Sequence, residues 1–295
     1  MQPLLLLLAV GALIAVTVDL AKIAASYGVS GPEFAFWLSL GAGIILFCAA
    51  RLGGKPMPLS LRHLGFYAIA GLLSLAAPNV ASFAVADVAD VAGTAYGIVP
   101  YALSPLMTYP LAILVRLDRP QWRRFGGLLV GFVGTFLVLA DIVLSTSSSG
   151  LLWALAALSI PALVATGNIF RTLNMPSDTS ALPLAAGIML GSAFWLAPYL
   201  IYLDGGVVFS GFPEIGAWVV ILQITISAIQ YWLYMRLQQA AGPVYLSQIG
   251  YVAAAFGVVL AYFIFGAIPT IMLLGGIAMI VAGVLLVRPR RHGGD

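Results

Sequence analysis

Residues 116–124 read Arg116-Leu117-Asp118-Arg119-Pro120-Gln121-Trp122-Arg123-Arg124, and 149 positions later residues 265–270 read Phe265-Gly266-Ala267-Ile268-Pro269-Thr270. The proline falls at the same place in both, and both stretches join long apolar runs, so one structural turn is used twice. The first copy carries four arginines and the second carries no charge. Basic residues collect in the cytoplasmic loops of membrane proteins. A turn that is basic in one copy and neutral in the other is therefore expected to face opposite sides of a bilayer, which makes the chain an inverted duplication.

The same shift matches the halves without gaps. Ala92-Gly93 falls on Ala241-Gly242, Tyr96 on Tyr245, Leu111-Ala112 on Leu260-Ala261, and Leu137-Val138 on Leu286-Val287. Gly126-Gly127 falls on Gly275-Gly276 and Gly134 on Gly283; these matches weigh most because glycine and proline mark backbone geometry. Thr17, Asp19 and Lys22 fall on Thr166, Asn168 and Arg171. The expected organisation is a first five-helix repeat over 1–144, a second, inverted one over 150–288, and a basic cytoplasmic tail over 289–295.

Composition demands a lipid solvent. Of 295 residues, 62% are hydrophobic and 8% charged, with a mean hydropathy of +1.08, whereas soluble domains carry roughly 25% charged residues. A span needs about 20 residues to cross the hydrocarbon, and a backbone in lipid must bond to itself, so the spans are helices. The apolar runs predict ten: Leu4–Ala25, Phe34–Ala50, Leu64–Ala86, Ala92–Val115, Phe125–Leu144, Leu151–Phe170, Ala181–Leu203, Ala217–Leu237, Val244–Phe265 and Ile268–Val287. The fold class is all-α integral membrane. Met1-Gln2-Pro3 leads straight into the first run, which reads as a span rather than a removable signal.

With the N-terminus inside, the inner loops carry Arg51, Lys55 and Arg62, then Arg116, Arg119, Arg123 and Arg124, then Arg171 and Arg236. The tail adds Arg288, Arg290 and Arg291. No outer loop carries Lys or Arg, and Lys22 lies within the first span. Both termini are thus expected in the cytoplasm, with bacterial inner membrane as the location. The single cysteine, Cys48, is expected to be a small buried hydrophobe.

The pattern resembles the drug/metabolite transporter superfamily of the EamA type. The residues that carry the resemblance are Leu103-Ser104-Pro105 followed by Arg116-Leu117-Asp118, and the fifth-helix glycines Gly126-Gly127…Gly134 and Gly275-Gly276…Gly283. The segment Gln230-Tyr231-Trp232-Leu233-Tyr234…Ala240-Ala241-Gly242-Pro243 resembles the family's junction of eighth and ninth helices. In the second repeat the proline and acidic positions become Ala254 and Ala267. Within the superfamily the chain looks most like the YddG-like exporters of aromatic and other neutral amino acids. The resemblance implies a secondary transporter of small metabolites working by alternating access, with the substrate between the halves.

Several side chains are candidates for that chemistry. Asp19 and Lys22 share a helix face and can pair. One reading makes Asp19 a proton-coupling carboxylate, since charge in a span is costly and usually functional; the other has Lys22 snorkel to the interface with Asp19 as its partner. Pro78-Asn79 marks either a ligand-binding break or a simple kink. Pro100, Pro105 and Pro110 in the fourth span, and Pro161 in the sixth, are either hinges of a moving wall or static curvature. Candidates for lining a substrate cavity are Asn79, Tyr96, Tyr101, Ser104, Ser159, Gln223, Tyr231, Tyr234, Tyr245, Ser247 and Gln248, with Gln230 nearby. Taken singly, each is more often a helix-to-helix bond.

Other function classes find little support. Only His63 and His292 are present, so neither a His-Glu-x-x-His zinc site nor a buried serine–histidine pair is available. Catalytic residues, metal and cofactor are expected to be none. A lipid-modifying intramembrane enzyme remains the alternative, as does export of unrelated metabolites or drugs. A channel would want charge rings or carbonyl filters, and no such motif is visible. The expected partners are a small-molecule substrate and the lipid bilayer, with no nucleic acid; the chain is a monomer or homodimer.

Overall fold

The structure is a computed structural model that describes residues 2–88, 95–145, 158–204, 214–265 and 271–287. Among these residues every regular element is helical. The helices are α1 (Pro3–Ser26), α2 (Gly31–Leu52), α3 (Leu61–Gly71), α4 (Ala77–Val88), α5 (Ala95–Leu114) and α6 (Trp122–Ser145), then α7 (Ser159–Asn174), α8 (Ala181–Asp204), α9 (Glu214–Ser247), α10 (Ile249–Phe265) and α11 (Ile271–Leu286). A single π-helical turn, Leu72–Ala76, joins α3 to α4 in one rod. Helix falls on part or all of each predicted span. Five described stretches are long and apolar enough to cross a membrane by length and composition: Pro3–Ser26, Gly31–Leu52, Leu61–Ser82, Ala181–Tyr202 and Glu214–Ser247.

Local chemistry sets the boundaries. Gly28 has φ +81 in the turn after α1, a conformation that glycine adopts without a Cβ clash. Ser30 then caps α2. Its backbone N–H donates to Glu33 Oε2 at 3.0 Å, while the Glu33 N–H donates to Ser30 Oγ at 3.4 Å, a reciprocal capping box. At the α5–α6 turn, Arg124 in the first turn of α6 pairs with Asp118, and the Gln121 N–H donates to the Tyr109 hydroxyl at 2.7 Å. Between α7 and α8, the Thr179 hydroxyl donates to Asp178 at 3.1 Å. That bond, with the nearby His63, holds the Asp178 carboxyl below its usual range.

Packing partners exchange between the two halves. α2 packs on α8 and α6 on α11; α1 packs on α9 and α10, while α7 packs on the α3–α4 rod and α5. Under the 149-residue offset each of these contacts maps onto itself or onto another one in the set. The seams are narrow where glycine removes the side chain. A Cβ on Gly134 would lie 2.7 Å from the Gly276 carbonyl, and one on Gly283 2.6 Å from the Gly131 nitrogen. Gly71 and Gly191 play the same part between α3 and α8.

Three expectations change, and the glycine pairs divide. Arg171 is not in a loop; it lies in the last turn of α7 and is 0% exposed. Arg236 is also helical, in the helix that precedes a kink at Gly242, whose φ of 78 and ψ of 178 are not helical, and its guanidinium sits 5.4 Å over the Trp232 ring. The break between the eighth and ninth predicted spans falls at this kink. Cys48 is exposed on α2 rather than buried. Gly126 and Gly275 face open space, so only Gly127 and Gly276 of the two pairs bear on the α6–α11 seam.

Candidate functional site

A polar cluster forms where α7 meets α9 and the π turn. α7 presents Asn168, Arg171 and Thr172 on one face, at helical spacings of three and four. The Arg171 guanidinium donates through Nε to Gln238 Oε1 at 2.7 Å and through Nη2 to both Asn168 Oδ1 and the Tyr234 hydroxyl, each at 2.7 Å. Its Nη1 donates to the Ser74 hydroxyl. Gln238 in turn donates to the Asn168 carbonyl at 3.0 Å and to Thr172 Oγ1 at 3.1 Å. The Tyr234 hydroxyl donates to Asn168 Oδ1 at 3.0 Å.

Each partner is brought there for an identifiable reason. Pro78 has no N–H for the Ser74 carbonyl four residues back. The rod accommodates this by widening into the π turn, in which the Ala77 N–H donates to the Leu72 carbonyl. Such bulges recur at functional sites. Gly167 lets α7 approach the turn, since a Cβ there would lie 2.8 Å from Ser74 Oγ and 3.0 Å from the Leu73 carbonyl. On α9, Tyr231 and Tyr234 stack with ring centroids 5.2 Å apart and planes 7° apart, and the Arg171 guanidinium carbon is 5.1 Å from the Tyr234 centroid.

The electrostatics of this cluster are uneven. Arg171 is wholly buried, yet the atoms that accept from it are neutral oxygens, and among the described residues no carboxylate lies within 4 Å of it. The Tyr231 hydroxyl is buried, accepts and donates no hydrogen bond, and lies within electrostatic reach of Arg171.

A second network joins α1 to α9. Thr17 Oγ1 donates to Gln230 Oε1 at 2.8 Å, and Gln223 Nε2 donates to Thr17 Oγ1 at 3.0 Å and to Ser227 Oγ at 2.8 Å. Under the repeat offset Gln223 of this network is the counterpart of Ser74, and Lys22 is the counterpart of Arg171. Asp19 and Lys22 do pair, at 3.6 Å. Asp19 Oδ2 is buried and unpartnered, while Lys22 is half-exposed. α1 thus holds its cation against a carboxylate, whereas α7 holds its cation against the amide of Asn168.

Of the predicted cavity residues, Tyr231 and Tyr234 join the Arg171 cluster, and Gln223 joins the α1–α9 network. Ser104 is buried with an unpartnered hydroxyl. Asn79 is half-buried beside Pro78, and Ser159 is exposed at the start of α7. Tyr245 packs in an apolar cluster with Leu6, Leu7, Tyr109 and Ala241. Ser247 donates back to the Val244 carbonyl at 2.8 Å and Gln248 to that of Tyr245 at 3.5 Å, so the corner spends them on itself. Pro105 and Pro161 are buried and Pro110 is exposed. The side chains of Tyr96, Pro100 and Tyr101 lie outside the described residues.

The expectation passed over Ser74, Asn168, Arg171 and Gln238 as site residues. A signal was present: Asn168 and Arg171 stand three apart, as Asp19 and Lys22 do on the equivalent helix, and Arg171 is the only basic residue between Arg124 and Arg236.

Residues 1–140 match the family profile described as the EamA-like transporter family, whose members are transporters of small molecules. Sixteen chains of solved structures resemble this one in fold. One, titled only as the crystal structure of a protein, is 20% identical with a TM-score of 0.72, over 95% of this chain and 96% of that chain. At that identity the likeness speaks for the fold alone. No curated protein matches the sequence.

Proposed function

We propose that this multi-pass membrane protein, which carries an EamA-like transporter domain over residues 1–140, is a secondary transporter that exports small metabolites, neutral and aromatic amino acids first among them, by alternating access. Ten spans form two inverted five-helix repeats, with both termini in the cytoplasm and the bacterial inner membrane as location. The observation that carries the reading is the buried polar cluster at the contact between halves, with Ser74 from the first and Arg171, Tyr234 and Gln238 from the second. Inverted repeats place substrate near mid-membrane at such a contact. The exchange of packing partners between the halves supports the duplication, and the wide match to a solved fold supports a similar architecture over both halves.

Purified protein in liposomes loaded with one amino acid is expected to take up a labelled one from outside by exchange. Flux that does not depend on solute on the opposite side would indicate a channel, and chemical turnover without flux an enzyme. Tags at Leu117 and Gly266 are expected in opposite compartments; finding both on one side would remove the inverted repeat.

Asp19 is the proposed coupling carboxylate, paired with Lys22 at 3.6 Å and holding one oxygen buried and unpartnered. Asp19→Asn keeps the shape and removes the titrating group. Its flux is expected to lose its pH dependence while exchange at neutral pH continues. An unaltered pH profile would remove Asp19 from coupling.

A further inference from the structure

We infer that Arg171 is the anchor for a carboxylate on the transported solute, so that the protein carries amino and other small organic acids and excludes the corresponding amides and amines. This rests on the transporter reading and names the group that the site recognises.

The first support is charge. The guanidinium is wholly buried, and Asn168, Ser74, Tyr234 and Gln238 offer it oxygen atoms without a negative charge. Its counterpart Lys22 faces the Asp19 carboxylate. The second half therefore keeps the cation of the repeat and replaces its acid by an amide; with no acid beside Arg171 among the described residues, the counter-charge is left to be brought by a ligand.

The second support is geometry. A guanidinium has five N–H groups in a planar fork that matches the two oxygens of a carboxylate. Gln238 and Asn168 hold the fork from its own half, on Nε and Nη2. The partner on Nη1, Ser74, comes from the opposite half. When the halves part around the π turn, Nη1 loses that partner and both of its N–H groups become available to an incoming carboxylate, while Nη2 stays with Asn168 and Tyr234. Ser74 is thus a stand-in that closes the site when no acid is held.

The third support is the surroundings of that edge. The Tyr234 ring lies against the cation and stacks on Tyr231, and the Tyr231 hydroxyl is buried without a partner. A carboxylate on Arg171 would receive a further donor there, and an apolar side chain would lie along the rings. A solute with only an ammonium group meets repulsion from Arg171.

A purely structural Arg171 that ties α7 to α9 and the π turn makes a different forecast, because its loss would slow all solutes alike. The test uses matched solutes with the full-length protein in liposomes. L-leucine and L-phenylalanine are compared with their carboxamides and with isoamylamine and phenethylamine; 4-methyl-2-oxopentanoate serves as an acid without an amine. Wild type is expected to carry the acids, the oxo acid included, at least about 30-fold faster than the amides or amines, the order expected for one buried charge pair. Arg171→Gln is expected to bring the acid-to-amide ratio close to one, and Arg171→Lys to keep part of it. Amides carried by wild type as fast as acids, or a ratio unchanged in Arg171→Gln, would overturn the anchor and leave the transporter reading standing. Flux of none of these solutes would overturn both. Should Arg171→Gln fail to fold, the wild-type ratio and Arg171→Lys still decide the matter.

Discussion

Gly283→Leu is expected to destabilise the protein by about 3 kcal/mol, the upper part of the range for forcing side-chain volume into a packed seam. Even the first carbon of the new side chain would stand 2.6 Å from the Gly131 nitrogen and 2.7 Å from the Gly127 carbonyl. Both are backbone atoms, and no rotamer change relieves them. α6 and α11 would have to separate along the stripe that also contains Gly134 and Gly276, losing close packing over several turns. In lipid that packing is not replaced by a hydrophobic drive, because the tails are as apolar as the helix faces. A Cβ at Gly275 meets nothing within 4 Å, and the same change there is expected to lie within about 0.5 kcal/mol of wild type. Thermal unfolding in detergent reads the contrast; equal midpoints for the two variants would show that the seam does not hold the bundle.

Pro78→Ala is expected to lower transport tenfold or more while leaving the protein folded. Alanine restores the N–H that the Ser74 carbonyl lacks, which lets the wide turn at Leu72–Ala76 tighten into regular α-helix. Removing the extra residue of a bulge rotates the helix on one side of it by about 100° relative to the helix on the other. α3 resists that rotation, since Gly71 lies against the backbone of Gly191 and Ser192, and Gly191 against the Tyr67 carbonyl. The adjustment therefore falls on Leu73 and Ser74, and the Ser74 hydroxyl turns away from Arg171. A lost hydrogen bond to a charged group is worth about 1.5–3 kcal/mol, which gives the size of the effect. Ser74→Ala is expected to lower flux by a similar factor. If Pro78→Ala transports like wild type, the π turn has no part in the cycle.

Much of this fold was legible without coordinates, and the reason is local. Whether a segment such as Pro3–Ser26 or Ala181–Asp204 prefers lipid depends on its own residues, and in lipid helix is the form that satisfies its backbone. Gly242 with Pro243 reads as a break between spans, and the positive φ of Gly242 is the kink between two helices there. Burial was not legible, because a long-range choice decides it. Cys48 reads as buried because its run is apolar, yet in a membrane protein the outer face is as apolar as the core. Gly126 and Gly127 are adjacent letters, and only the direction of α11 decides which of them meets a neighbour.

The site divides in the same way. Pro78 announced a break in its span, and Tyr231 and Tyr234 announced a polar face on α9, because each is a departure from the pattern around it. Arg171 is the same letter as the arginines of the α5–α6 turn, three residues from the end of α7, and by sequence it belongs with them. The apolar spans and their helical form follow from the sequence itself, as does the correspondence of the two halves at a constant offset, because hydropathy and spacing are properties of the chain alone. The role of Arg171 was decided only when α7, α9 and the π turn closed around it, since burial and hydrogen-bond partners belong to the neighbours that a residue meets, and Ser74 and Gln238 lie 97 and 67 positions away along the chain.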